Sequence, residues 1–225
     1  MLTVATAAAI LRSQPYDVVY RDFGRRYPNA GYGAAFYRWL FADRPEPYNS
    51  YGNGSAMRVS PVGWAWDDEA TVLREAERSA VVTHSHPEGV KGAQAVALAV
   101  FKARSGETKN EIREAITSRF GYDMGRTIEE IRPAYRFYVT CQDSVPEALI
   151  AFLDSSDFEH AVRLAISLGG DSDTQGAIAG AVAHAYYGPL ETVIGEVVRQ
   201  RLPNEFIEIL DEFSDRHGMT PPAFG

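Results

Sequence analysis

Two aspartates in the segment Gly-Gly-Asp-Ser-Asp-Thr (residues 169–174) are the residues whose types and spacing best fit a chemical role. Asp171 and Asp173 stand one residue apart, Thr174 follows directly, and a run of small residues typical of a helix comes next. Neighbouring carboxylates repel each other and are costly to desolvate, and a divalent cation relieves both effects. Oxygen ligands without cysteine or histidine favour a hard cation such as Mg²⁺, or Mn²⁺, over zinc. The simpler alternative is a helix cap, for which one aspartate would be enough.

A second segment, Tyr-Gly-Asn-Gly-Ser (residues 51–55), combines two glycines with an amide and a hydroxyl. Gly52 and Gly54 suit backbone angles that other residues avoid, and Asn53 tolerates a left-handed conformation. Ser55 is placed to cap a following helix, whose free amides would then face an anion such as phosphate. The alternative is a structural turn with a capped helix. The aromatic side chains best placed to stack on a flat ligand are Tyr48 and Tyr51.

A third segment, Thr-His-Ser-His-Pro-Glu-Gly (residues 83–89), carries two histidines two residues apart. No third soft ligand is nearby in the sequence, which argues against a metal site of their own. His86 precedes Pro87 at a predicted helix start, where its ring is placed to hydrogen-bond a ribose or a phosphate. His84 is as readily interpreted as a capping or core histidine, and the same alternative applies to His86 with less force.

Composition narrows the class of protein. The 225 residues carry a formal net charge of −8 and no lysine- or arginine-rich block, so nucleic acid is not predicted as the primary partner. The single cysteine, Cys141, cannot form an intrachain disulfide, fits a reducing and cytoplasmic compartment, and is interpreted as a small buried apolar residue. Residues 1–11 are apolar but too short to span a bilayer and lack a basic leader, so we expect a buried helix and no membrane partner.

The secondary structure that positions these three segments is predicted to be helical, because apolar residues recur at helical spacing along most of the chain. The length suits one domain over residues 1–225, and the scarcity of period-two alternation predicts an all-α fold of many short helices. Residues 136–141 form the best strand-like run. Small residues at 177–185 allow close approach, so we expect that helix at the centre. The predicted helices are residues 2–13, 16–27, 31–42, 55–64, 68–83, 87–105, 109–120, 146–154, 157–167, 173–187 and 203–216.

Five segments occur together in one order along the chain. They are Gly-Tyr-Gly (31–33), Tyr-Asn-Ser-Tyr-Gly-Asn-Gly-Ser-Ala-Met-Arg-Val-Ser-Pro (48–61), Thr-His-Ser-His-Pro-Glu-Gly-Val-Lys-Gly-Ala-Gln-Ala (83–95), Cys-Gln-Asp-Ser-Val-Pro (141–146), and Gly-Gly-Asp-Ser-Asp-Thr (169–174) with a small-residue helix ending Ala-Tyr-Tyr-Gly (185–188). This pattern closely resembles the ADP-ribosylglycohydrolase family, which includes the dinitrogenase-reductase-activating glycohydrolases. The resemblance covers nearly the whole chain, and the five motifs together are more specific than any one of them.

The resemblance implies an orthogonal all-α fold, a magnesium centre of one or two ions, and hydrolysis of an N- or O-glycosidic bond of ADP-ribose. It implies that Asp171, Asp173 and Thr174 are metal ligands, and that the substrate is an ADP-ribosylated protein or an ADP-ribose-containing small molecule. The catalytic residues stay unassigned. The residues that match the family's substrate-facing positions are Asn53, Gly54, Ser55 and Met57 in one loop, His86, Glu88 and Gly89 in a second wall, and Ser144 and Val145 near the bound ribose.

One part of the family pattern is missing. Family members carry a Gly-Asp-bearing helix and a Thr-Asp-Asp motif just before the segment that resembles residues 2–11, and these supply the other half of the metal shell. Asp143 and Gln175 also stand where the family commonly has small residues. We therefore expect an N-terminally truncated domain with one weak magnesium site and low or absent turnover. A chain start assigned too far downstream would explain the same pattern.

Three other functions compete with a magnesium-dependent glycohydrolase. A non-catalytic ADP-ribose or nucleotide binder would keep the glycine-rich loop without the metals, and would bind in the presence of a chelator. A structural protein of crystallin type, a role to which this fold has been recruited, would bind no nucleotide. A phosphatase of the Asp-x-Asp-x-Thr type needs its aspartates at the end of a strand, whereas residues 158–168 have a helical pattern, so this function ranks last.

Overall fold

Helices dominate the computed structural model, which describes residues 1–219. The prediction of an all-α fold is confirmed, since the pairing of extended backbone within the described residues is limited to one bridge between Gly52 and Thr140. Residues 220–225 of the predicted domain lie outside the described residues. The helices of the described part are α1 (Leu2–Leu11), α2 (Tyr16–Arg26), α3 (Ala34–Phe41), α4 (Gly54–Met57), α5 (Ser60–Ala65), α6 (Glu69–Val81), α7 (Pro87–Arg104), α8 (Lys109–Phe120), α9 (Ile128–Ile131), α10 (Cys141–Leu153), α11 (Phe158–Ser167), α12 (Ser172–Tyr187), α13 (Thr192–Arg201) and α14 (Asn204–His217).

Side-chain caps fix several helix starts. Thr108 begins α8 with a reciprocal capping box, in which its hydroxyl accepts from the Glu111 amide and the Glu111 carboxylate accepts from the Thr108 amide. Asp157 caps α11 by accepting a hydrogen bond of 2.7 Å from the His160 amide. Because α11 is helical up to Ser167, the acidic pair does not follow a strand, which removes the structural requirement of the phosphatase alternative.

Two helices, α7 and α12, form the middle of the larger core cluster. Helix α7 packs against α4, α5, α6, α8, α10 and α12, and α12 also packs against α10 and α11. Small residues make the contacts close, because a methyl carbon added to Gly92 would lie 2.5 Å from the Cys141 sulfur. Cys141 is fully buried, and burial raises the pKa of its thiol to about 12. The predicted central place of the small-residue helix is confirmed, and α7 shares it.

A second core cluster joins α1, α2, α3 and α14. Tyr20, Phe23 and Leu40 are fully buried there, and the Phe206 ring of α14 stacks on Phe23 with a centroid distance of 6.0 Å. The apolar first helix packs into this cluster along most of its surface, which explains its composition. None of the helices in the described residues combines the length and apolarity needed to cross a bilayer.

The start of α10 differs from the sequence prediction. The sequence predicts a helix from Pro146, because proline suits a first helical turn. The helix instead begins at Cys141 and carries Pro146 inside it. A tertiary contact fixes the earlier start, because the Cys141 amide donates a hydrogen bond of 2.9 Å to the Tyr51 carbonyl. The strand-like run is also wrong, since its extended pairing is limited to Thr140.

Two further elements differ from the predictions. Residues 55–64 form two short helices, α4 and α5, that are separated at Arg58 and Val59, rather than one continuous helix. Helices α9 and α13 lie outside every predicted range. Helix α13 contains a glycine and five β-branched side chains that disfavour helix formation, so helix propensity does not predict it.

Candidate active site

A cavity of about 630 Å³ is lined by residues of the second core cluster and by the starts of α4 and α12. One side is formed by the start of α1 and by residues 30–36, which lead into α3. The opposite side is formed by the glycine-rich turn, by His84 and by the start of α12. The cavity therefore brings together two of the three segments that the sequence singles out, together with one residue of the third.

The glycine-rich turn is held in place by hydrogen bonds to the segment before α10. The backbone amide of Asn53 donates a hydrogen bond of 2.9 Å to the Val139 carbonyl. A methyl carbon added to Gly89 of α7 would lie 2.5 Å from the Ser50 carbonyl, so glycine there permits close approach of the helix to the turn. The prediction of unusual backbone angles in this turn is wrong. Gly52 and Gly54 do not have a positive φ, and Asn53 has a φ of −74°.

The acidic pair lies at the start of α12. Asp171 is the residue before the first turn and Asp173 belongs to that turn. The Asn53 side-chain amide donates to Asp171 Oδ2 at 2.7 Å and to Ser144 Oγ at 3.2 Å. The Thr174 hydroxyl donates to Met57 Sδ at 3.4 Å. These contacts join the acidic pair directly to the glycine-rich turn, although 118 residues separate Asn53 from Asp171 in the sequence.

The donor set at the start of α12 fits a hard cation. Asp171 and Asp173 offer carboxylate oxygens and Thr174 a hydroxyl, the ligands that Mg²⁺ and Mn²⁺ prefer. Burial and the neighbouring Asp173 raise the pKa of Asp171, and the hydrogen bond from Asp171 lowers the pKa of Asp173. The carboxyl groups therefore disfavour joint ionisation, a cost that a cation offsets. Residues 1–219 contain no group of three or more His, Cys, Asp or Glu side chains arranged for a metal.

His84 lines the cavity, whereas the sequence reasoning favours His86. The His84 side chain is almost completely buried, and burial together with the Arg58 charge lowers its pKa to about 2, so the ring is neutral. His86 instead accepts a hydrogen bond of 3.1 Å from the Glu88 amide at the start of α7, and its ring contacts Tyr51 edge-on. No local sequence pattern separates the two histidines, because the difference arises from the tertiary contacts of the turn before α7.

The remaining predicted substrate residues fall into two groups. Met57, Gly54 and Tyr48 line the cavity with Asn53, and the Tyr48 ring lies 6.2 Å from that of His84. The others support the walls from outside the lining; they are Ser55, His86, Glu88, Gly89, Ser144, Val145 and Tyr51. Their contact with a ligand stays a prediction.

Ser55 has a structural contact in place of the expected cap. The residue that precedes α4 is Asn53, and Ser55 lies within the helix. Its buried hydroxyl donates a hydrogen bond of 2.8 Å to the Gly89 carbonyl, which ties α4 to α7. The prediction that Ser55 caps a helix facing an anion is therefore wrong.

The fold and the cavity define an all-α protein whose site joins an acidic helix start to a glycine-rich turn. A family model described as ADP-ribosylglycohydrolase matches residues 1–220. The chain therefore belongs to the ADP-ribosylglycohydrolase family, as the order of its motifs predicts.

Individual relatives agree with this assignment. The chain is similar to ADP-ribosylhydrolase ARH3 of Homo sapiens, with 27% identity over 254 residues that cover 82% of this chain and 68% of the relative. It is also similar to the ADP-ribosyl-(dinitrogen reductase) glycohydrolase of Rhodospirillum rubrum, with 28% identity over 185 residues that cover 79% of this chain and 58% of the relative. A solved structure titled "ADP-ribosylglycohydrolase-related protein complex" superposes with a TM-score of 0.68 and 25% identity, covering 97% of this chain and 77% of that chain.

Proposed function

We propose that the protein hydrolyses a glycosidic bond of ADP-ribose in the cavity lined by the glycine-rich turn and the start of α12, with a divalent cation held by Asp171, Asp173 and Thr174. Mg²⁺ is the proposed cation and Mn²⁺ the alternative. The observation that carries the proposal is the 2.7 Å hydrogen bond from Asn53 to Asp171, because it joins the acidic pair to the turn on one wall of the cavity. Family membership supplies the class of substrate.

The proposed division of labour follows from the chemistry of the cavity lining. Asn53, Gly54 and Met57 would contact the ribose and pyrophosphate, and the neutral ring of His84 would offer a hydrogen bond without adding charge. Tyr48 would stack on the flat base from inside the cavity. Tyr51, which is about half exposed, would extend that surface at the rim. Of these residues, His84 is the addition that the tertiary structure makes to the sequence-based set.

Mechanistically, the chain's own residues bind and orient the sugar nucleotide. A cation at Asp171 and Asp173 would supply positive charge that offsets the negative charge developing during cleavage. Asn53 holds the Asp171 carboxylate in a fixed orientation with one amide hydrogen and bonds Ser144 with the other. Among the described residues that line the cavity, the carboxylates are limited to Asp171 and Asp173, so the general acid or base stays unassigned.

Two carboxylates and one hydroxyl define a weak cation site. Affinity for hard cations rises with the number of charged ligands, and the described residues supply a partial shell. We therefore propose one ion rather than two, and slow turnover by the 225-residue chain. The substrate would be an ADP-ribosylated protein or a small molecule containing ADP-ribose, in a cytoplasmic setting, with no primary role for nucleic acid or a membrane.

The experiment measures free ADP-ribose released from an ADP-ribosylated arginine substrate and from an ADP-ribosylated serine peptide. The expected result is slow release that requires Mg²⁺ and stops when a chelator is added. Asp171→Asn is expected to abolish it, whereas Asp157→Asn, which removes a capping carboxylate at the start of α11, is expected to retain it. Release that persists in chelator and in Asp171→Asn would overturn the proposed role of the cation.

A non-catalytic ADP-ribose binder is the second candidate. The lining supports it, since the turn and His84 offer polar groups that would bind a nucleotide without a cation. Calorimetry with ADP-ribose separates the two. Equal affinity with Mg²⁺ and with chelator, together with no turnover, would select the binder, and absence of binding would leave the structural role.

A further inference from the structure

Arg58 is a buried guanidinium without a carboxylate partner among the described residues. Its side chain is 1% exposed, and no ion pair of the described residues includes it. One nitrogen, Nη2, donates to the Ser79 carbonyl at 3.0 Å and to the Thr83 hydroxyl at 2.9 Å. The guanidinium also lies over the Tyr20 ring at 4.3 Å. An unpaired buried charge is costly, so the Arg58 guanidinium is expected to have a function that offsets this cost.

The hydrogen bond from Arg58 places a directional constraint on Thr83. A guanidinium has five N–H donors and no acceptor, so the Thr83 oxygen accepts and its own hydrogen is free for another group. That oxygen lies 2.7 Å from His84 Nδ1. The positive charge of Arg58 on this side of the ring also disfavours a proton on Nδ1. Both effects leave Nδ1 as the acceptor and put the ring hydrogen on Nε2.

The Nε2 edge of His84 faces the glycine-rich turn. A methyl carbon added to Gly54 would lie 3.4 Å from Nε2, and one added to Gly52 would lie 3.7 Å away. No hydrogen bond to Nε2 occurs within the described residues, and the ring lines the cavity. A hydrogen on Nε2 would therefore be available to a ligand at the turn. The low pKa of the ring is consistent with a neutral donor.

We propose that Arg58, acting through the Thr83 hydroxyl, is a positioning residue that fixes His84 in its Nε2–H form, so that the ring presents a hydrogen-bond donor to an acceptor oxygen of the nucleotide. The identity of that nucleotide rests on the proposed function, whereas the tautomer does not. The donor takes an anionic or hydroxyl oxygen and rejects a donor group at the same position. The relay thus lets a buried charge at the cavity wall determine which ligand atom the His84 ring binds.

The tautomer is measured directly by long-range ¹H–¹⁵N correlation spectra of the ligand-free, ¹⁵N-labelled protein. His84→Gln identifies the resonances. The expected result is a protonated, pyrrole-like Nε2 and an unprotonated, pyridine-like Nδ1 near neutral pH. The Thr83 hydroxyl also lies near the Tyr48 phenol. If Thr83 donated there instead and His84 carried Nδ1–H, the spectrum would reverse and the proposal would be overturned.

A matched pair of variants tests the relay. Thr83→Ser keeps the hydroxyl and Thr83→Val keeps the shape without it. We expect Thr83→Ser to retain the Nε2–H form and to bind ADP-ribose within about twofold of the unmodified chain. Thr83→Val should mix the two tautomers and weaken ADP-ribose binding by up to about tenfold, the scale of one hydrogen bond to a charged oxygen. A single Nε2–H form and unchanged affinity in Thr83→Val would overturn the relay.

The two proposals fail in different ways. Circular dichroism confirms that each compared variant is folded, which matters because Arg58 and Thr83 are both buried. Arg58→Met, where it folds, should mix the tautomers as Thr83→Val does. If neither the unmodified chain nor any variant binds ADP-ribose, the proposed function is wrong. The ¹H–¹⁵N spectrum of His84 still tests the relay in that case. If ADP-ribose binds but the tautomer is Nδ1–H, the relay alone fails.

Discussion

The Asn53 side chain shows how one amide can organise a site. Its two hydrogens go to different partners, Asp171 and Ser144, which come from different helices. An amide with both hydrogens used cannot rotate without losing a contact, so the orientation of the Asp171 carboxylate is fixed before any ligand arrives. Asp171 is also partly buried, and its pKa is raised by burial and by Asp173. The proposed cation would therefore meet a carboxylate whose orientation is already set and would offset its repulsion with Asp173.

Removing either carboxylate should weaken cation binding. Asp171→Asn and Asp173→Asn each leave one charged ligand, and we expect Mg²⁺ affinity to fall at least about tenfold. Calorimetric titration with MgCl₂ measures this. Asp157→Asn is the control, because it removes a carboxylate from the start of a neighbouring helix and should leave Mg²⁺ affinity unchanged. Equal Mg²⁺ affinity in all three variants would place the ion elsewhere.

His84 should make the folded state sensitive to acid. Its pKa is lowered from 6.5 to about 2, chiefly by burial, so below pH 6.5 the unfolded chain binds a proton that the folded chain does not. Stability from this group is present above pH 6.5 and is lost as the pH falls. Between pH 7 and 5, urea unfolding should show the unmodified chain losing about 2 kcal/mol more than His84→Gln. Identical pH dependence would mean that the pKa of His84 is the same in the folded and unfolded chains.

At this scale the sequence predicts residues whose chemistry is local. Asp171, Asp173 and Thr174 share one short segment, and all three line the cavity. The local sequence does not show which of His84 and His86 lines the cavity, because both are histidines in the same turn. Their separation depends on long-range contacts with Thr83, Arg58 and the glycine-rich turn, which no spacing rule expresses.

Helix contacts set the tolerance of individual glycines. In α7, a methyl group at Gly92 would meet the Cys141 sulfur at 2.5 Å, whereas in α12 a methyl group at Gly176 would meet nothing closer than 4.0 Å. We expect Gly92→Ala to lower the free energy of unfolding by about 1–2 kcal/mol through overpacking. Gly176→Ala should raise it by up to about 1 kcal/mol, since alanine favours the helix. Urea unfolding of both variants checks the contrast, and equal effects would contradict the packing of α7 on α10.

Helices with strong local signals were predictable as elements, and the others were not. Periodicity and caps locate α8 and α11, whose starts depend on Thr108 and Asp157. The first turn of α10 depends on the Tyr51 carbonyl, and α13 forms despite its valines. Both exceptions follow from tertiary context that overrides propensity. The family resemblance supplies the architecture that periodicity alone leaves open.

On the scale of the whole molecule, the cavity is lined by the second core cluster and by the starts of α4 and α12. Ile10 and Trp64 pack against both clusters and form part of their junction. A ligand in the cavity would contact residues 30–36 on one side and the start of α12 on the other. Binding should therefore stabilise the folded state as a unit, because the ligand would contact the second cluster and also two helices, α4 and α12, that contribute to the larger one.

ADP-ribose should raise the melting temperature of the protein in a concentration-dependent way. A ligand that binds only the folded state stabilises it by about 2.7 kcal/mol at a hundred times its dissociation constant. Differential scanning calorimetry with increasing ADP-ribose measures the shift, and adenosine provides a control that lacks the pyrophosphate. An ADP-ribose shift no larger than that of adenosine would argue against the proposed pyrophosphate contacts at the turn.

The burial of Met1 has a practical consequence for handling the protein. Met1 lines the cavity, its sulfur accepts a hydrogen bond of 3.2 Å from the Tyr32 hydroxyl, and burial lowers the pKa of its amino group. A tag attached to the Met1 nitrogen would start at the wall of this cavity, where it would compete for space with the proposed nucleotide. Samples tagged at this end are thus expected to understate nucleotide affinity until a protease trims the fusion.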